Sequence, residues 1–155
     1  MSHRLIVELS EDPVAEEDRM TAYDLTEDKD IQYAADYVDD LEDVDMTYEE
    51  AIDLFLQELG VAATYNKEDN SITFVHVKNY FEEDFKIVKE MVEKATLQEF
   101  MDSLWIYNVR CYMHPIFGTY IKHTWDGSYP LPEFIRDYAK DGSKFYIGGI
   151  CDYHC

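Results

Sequence analysis

Basic residues are scarce in this chain. Thirteen lysines and arginines stand against 34 aspartates and glutamates among 155 residues, which leaves a formal charge of −21. Nucleic acid and anionic lipid carry the same sign, which argues against direct binding to either. Glycine and proline are also few, at six and four, and this favours regular structure over long loops. Three cysteines are an odd number and do not suggest a disulfide framework. No stretch approaches the ~20 apolar residues of a membrane span. The apolar run within Met1–Glu8 is too short for a secretory signal, so the cytosol is the expected compartment.

Catalytic motifs are missing as well. The chain has no Gly-rich phosphate loop and no H-E-x-x-H, and Asp43-x-Asp45-x-Thr47 lacks the glycine of a calcium loop. A nucleophilic pair of Cys111 with His76, His114 or His123 has no local signature to support it. The expectation is a protein without enzymatic activity.

Enough apolar material is present to fold. Hydrophobic residues make up 46% and aromatics 15% of the chain, whereas acidic disordered tails are poor in aromatics. A chain of this length buries roughly 70% of its unfolded surface. The patterns predict one α+β domain over residues 1–155. Residues 1–60 form its acidic helical part, and residues 61–155 form a scaffold with a mixed or antiparallel sheet.

In order, Arg4–Leu9 reads as a strand, Ser10–Arg19 as a loop or frayed turn, and Met20–Thr26 as a second short strand. Ile31, Ala34, Ala35, Val38 and Leu41 recur at helical spacing and predict a helix over Asp28–Asp43. Thr47 and Glu50 make a capping box for a second helix that ends at Gly60. Val61–Tyr65 and Ser71–Val77 read as a hairpin. A long helix over Asn79–Lys94 follows, then a short one from Thr96. Leu104–Met113 alternates as a strand, with Trp105, Tyr107, Val109, Cys111 and Met113 on one face. His114–Gly118 and Asp126–Gly127 are turns around a returning strand, Thr119–Trp125. Pro132–Lys140 is a helix and Lys144–Ile150 a last strand.

The charge is unevenly placed. Residues 1–60 hold twenty acids and three bases, a sum of −17, and residues 61–155 hold the remaining −4. Self-repulsion of that size works against compaction, so it speaks about a partner rather than about the fold. On the expected helix, Asp36, Asp39, Asp40 and Asp43 lie opposite the apolar stripe, with like charges ~5–6 Å apart. Asp45, Glu49, Glu50 and Asp53 continue the series, although Glu49 and Glu50 also suit a helix N-terminus. Carboxylates so arranged imitate phosphates and would enter a groove lined with lysine and arginine.

In size, net charge, aromatic content and acid-studded helices such as Asp36–Asp43 and Glu49–Asp53, the chain resembles the acidic DNA-mimic inhibitors carried by phages and plasmids. These include anti-restriction and anti-CRISPR proteins. The resemblance covers a style of surface and transfers no functional residues. It implies a non-catalytic inhibitor in a bacterial host cell, whose partner is a basic nucleic-acid-binding protein such as a nuclease or CRISPR effector. An immunity protein against a basic nuclease toxin would need the same surface. A homodimer is compatible with either.

A different class rests on two C-x₂-H pairs, Cys111 with His114 and Cys151 with His154. Together they match a Cys₂His₂ zinc set, with Cys155 or His123 as a substitute ligand. That reading is a zinc-stabilised adaptor. Against it, residues three apart on a straight strand point to opposite faces. The plain alternative is a strand cysteine, a turn histidine and a free C-terminal thiol, with no cofactor.

Overall fold

The computed structural model describes residues 4–115, 118–123 and 127–155. Trp125 and Asp126, and part of the His114–Gly118 turn, lie outside them. The elements are β1 (Arg4–Ser10), α1 (Lys29–Ala34), β2 (Tyr37–Asp40), α2 (Tyr48–Leu59), β3 (Ala63–Asn66), β4 (Ser71–Phe74), α3 (Val77–Lys94), α4 (Leu97–Phe100), α5 (Ser103–Met113), β5 (Tyr120–His123), β6 (Gly127–Pro130), α6 (Leu131–Tyr138) and β7 (Lys144–His154). This is the expected α+β class, with a mixed seven-stranded sheet in the order β3-β4-β7-β1-β5-β6. Only β1 and β5 run parallel among the described pairs. On its edge away from β1, β7 is shared by β4 along Lys144–Tyr146 and β2 along Cys151–His154.

β1 sits in the middle because both its faces are apolar. Leu5, Val7 and Leu9 point into a large core with Phe55 of α2 and Phe134 and Ile135 of α6. Ile6 points the other way, into a smaller core with Leu25 and Ile31. β7 follows the same division through a bulge. Val7 pairs with Ile150 but Leu9 pairs with Ile147, so Gly148 and Gly149 together face Glu8. The extra residue reverses the parity of the strand. Phe145, Ile147 and Ile150 therefore all reach the large core, while Cys151 and Tyr153 reach the small one.

Three expectations are corrected. The helix expected over Asp28–Asp43 stops at Ala34; β2 and a 3-10 turn over Leu41–Val44 follow. The apolar stripe drawn along it does not belong to one helix. Ile31, Ala34, Ala35 and Val38 pack in the small core and Leu41 in the large one, on opposite faces of the sheet. Tyr37 and Val38 favour a strand, and the free edge of β7 supplies its partner. Met20–Thr26 is no strand: Ala22–Leu25 is a 3-10 turn closed by a capping box between Thr21 and Asp24. Leu104–Met113 is helical in α5, and Asp102 caps it by accepting the Leu104 N–H at 2.8 Å.

Candidate functional site

From Asp36 to Asn66 the chain carries ten acids and no lysine or arginine. The structure sorts these acids into two groups. Some hold the fold together. Asp40 turns inward, and its carboxylate accepts the Ala22 N–H at 2.8 Å. Glu50 completes the capping box of α2 with Thr47. Glu58 accepts from the Thr119 hydroxyl. Burial pushes the Glu58 carboxyl above its usual range, and the Thr119 bonds only partly offset this. Asp39 is half-buried on β2 with its carboxylate 4.0 Å from His154.

The others are exposed. Asp36, Glu42, Asp43, Asp45, Glu49 and Asp53 face solvent, and none forms an ion pair among the described residues. Asp36 lies between α1 and β2, Glu42 and Asp43 on the 3-10 turn, Asp45 just after it, and Glu49 and Asp53 in the first turns of α2. Asp45, in a left-handed backbone conformation at φ 54°, lies with Glu50 and Asp53 around a shallow hollow of about 370 Å³ floored by Val44, Met46 and Leu54. Glu49 and Asp53 are one turn apart and raise the Tyr65 hydroxyl, whose shift comes first from burial.

Of the eight acids expected at the partner surface, Asp36, Asp43, Asp45, Glu49 and Asp53 are thus free to meet a partner. Asp40 and Glu50 are engaged in the fold, and Asp39 is partly so. Sequence reasoning missed Glu42, which lay within the expected Asp28–Asp43 helix but outside its row of aspartates. It also missed Tyr37, 53% exposed next to Asp36 at the start of β2, and the exposed Tyr23 and Tyr33 of the preceding turn and α1. Tyr37 stacks on His154 with ring centroids 4.7 Å apart. The pattern offered no signal for Tyr37, which was expected within a helix and instead begins β2 after α1 ends.

The zinc set is not assembled. Cys111 belongs to α5 and Cys151 to β7, and no group of three or more metal-capable side chains occurs among the described residues. Cys151 is buried beside Asp40 at 3.9 Å. Burial, followed by Asp40 and Asp24, pushes its thiol up to about 12, so it stays protonated and a poor ligand at neutral pH. His154 Nε2 instead lies 2.8 Å from the fully buried carboxylate of Asp152. Among the described residues, Asp152 and Asp39 are the carboxylates near its ring, at 2.8 and 4.0 Å from Nε2. His123 packs within a cage of Phe134, Tyr138 and Phe145. All three cysteines are free.

No helix among the described residues is long and apolar enough to cross a membrane. No family model, curated protein or solved structure matches this chain.

Proposed function

We propose that this protein is a non-catalytic inhibitor that occupies the nucleic-acid groove of a basic enzyme, a restriction nuclease or a CRISPR effector, with its acidic surface. The observation that carries this reading is the set of exposed, unpaired carboxylates just before β2, on and after the 3-10 turn and at the start of α2, in a stretch of chain without a single base. Acids with a local role in folding have been set aside, and the excess remains. Like charges so placed repel one another and cost a few tenths of a kcal/mol per adjacent pair, so their value lies in a partner of opposite sign. The exposed Tyr37 next to Asp36 suits an interface, where tyrosine is enriched.

Binding to such an enzyme is fast, weakens steeply with salt and is competed by its DNA or RNA. The test compares wild type with a variant carrying Asp43→Asn, Asp45→Asn, Glu49→Gln and Asp53→Asn, titrated against the enzyme at several salt concentrations. The variant should bind at least tenfold more weakly and with a shallower salt slope. Equal affinity, or wild-type binding indifferent to salt and to competing DNA, rejects the reading.

A further inference from the structure

Residues 77–113 make up an arm that differs from the rest of the molecule. The start of α3 meets the end of α5, so the two helices run antiparallel with α4 at the far tip. With 18 residues, α3 is ~27 Å long. No residue of α3, α4 or α5 is buried. The arm meets the large core only at its base, through Val77, Tyr80 and Phe81. Nine large apolar side chains of the arm are 50–76% exposed, and Leu97, Phe100, Met101 and Leu104 crowd its tip. Near the base, an open groove of about 330 Å³ runs between the helices, lined by Phe81, Phe85, Val88 and Met113 together with Asp84 and Arg136.

We propose that the arm is the interface of a homodimer, in which the apolar tip of one arm seats in the basal groove of a second copy and the reverse. A two-fold axis makes such a contact self-complementary, and two helical hairpins then form a four-helix bundle. Three observations favour a second copy over another occupant. The first is area. Nine half-open apolar side chains at on the order of 100 Å² each give roughly 900 Å², close to the ~800 Å² per partner of a standard interface.

The second is charge. The arm carries five bases and seven acids within a chain of −21, so it is the part where two copies can approach without strong repulsion. A basic partner is drawn to the acidic stretch instead and would meet Lys86, Lys89 and Lys94 here. The third is complementarity of the two ends. The exposed Glu99 at the tip is opposite in sign to Arg136 at the groove, while Lys94 pairs with Glu90 and Asp102 caps α5. Burial, then Glu83, holds the Asp84 carboxyl above its usual range.

The test is sedimentation of the full chain from ~1 to ~100 µM, the range in which interfaces of this size hold. The expected species has twice the 18.3 kDa of one chain. A particle that stays at 18.3 kDa throughout overturns the proposal. The double variant Phe100→Glu with Leu104→Glu should be monomeric with an unchanged helical circular dichroism signal. Leu97→Glu alone, at the most exposed apolar position of the arm, should shift the equilibrium the same way with less risk to the hairpin. Tyr33→Glu, 92% exposed and off the arm, should remain dimeric. A dimer that survives both tip variants places the contact elsewhere and rejects the arm as its interface.

Discussion

Glu8 and Gly149 are joined across the bulge of the central strands. One oxygen of the Glu8 carboxylate accepts the Gly149 N–H at 2.7 Å and the Met20 N–H at 2.8 Å. It thereby ties the acidic N-terminal segment to β7. Space at the bulge is fully taken. A Cβ on Gly149 would lie 2.0 Å from the Met20 carbonyl oxygen, and one on Gly148 would lie 2.2 Å from the Glu8 carboxylate. The Met20 obstacle is backbone and cannot swing away, whereas the Glu8 obstacle is a side-chain end. Gly149→Ala should therefore cost about 3 kcal/mol, the upper end for overpacking, and Gly148→Ala less. Glu8→Gln keeps an acceptor but loses the charge, and should cost about 1 kcal/mol. Urea unfolding of the three variants gives the order; Gly148→Ala being the worst would contradict it.

Asp28 gives the molecule a definable acid response. Its carboxylate caps α1 and accepts from Lys122 Nζ and Ser128 Oγ, each at 2.7 Å. Burial alone would raise the carboxyl, but the bonds from Lys122, Ser128 and the Ile31 N–H outweigh it and leave it below its ordinary value. A group depressed in the folded state stabilises fully above its unfolded value, about 4. That contribution fades as pH falls through the folded value. Asp28→Asn should thus be about 1–2 kcal/mol less stable than wild type at pH 7. The gap should close as pH drops below about 4. Urea midpoints of both proteins across pH 2–7 check this, and a constant gap would refute it.

His123 is a buried polar side chain among rings, and neither ring nitrogen has a hydrogen-bond partner among the described residues. An unsatisfied buried group costs about 1–3 kcal/mol, while the aromatic contacts it makes contribute about 0.5–1.5 kcal/mol each beyond area. Leucine has a similar volume and no polar atom. His123→Leu should be neutral to about 1 kcal/mol more stable in thermal unfolding. A loss above about 2 kcal/mol, the cost of breaking a satisfied polar contact, would mean that the imidazole is bonded in solution.

Much of this fold is legible where local signals agree. The Thr47–Glu50 capping box and Gly60 bound α2, and β1 reads as a strand from its apolar run. Asn66–Asn70 sits between paired strands, and Pro132 lies at the start of α6. The misreadings share one cause, which is that spacing does not say which face of which element a side chain will meet. Ile31 and Leu41 fit one helical stripe on paper, but they are wanted by cores on opposite faces of the sheet. Trp105, Val109 and Met113 satisfy period two as well as period four, and the half-covered face of α3 decides for the helix. Within the acidic stretch, the surplus was readable but its division was not. Asp40 and Asp43 look alike in sequence, and only the neighbouring Ala22 N–H makes one of them structural.

The central pairing also sets how the chain must reach its native state. Glu8 and Gly149 are separated by 141 positions, and β1 finds both β5 and β7 late in the chain. Contacts so distant close slowly, because loop entropy is lost before they yield stability. Most of the chain's like charge lies in the loop being closed. Mutual repulsion swells that loop and lengthens the search. Added salt should therefore quicken refolding even as it weakens the grip on a basic partner, and the ionic conditions that favour maturation oppose those that favour capture.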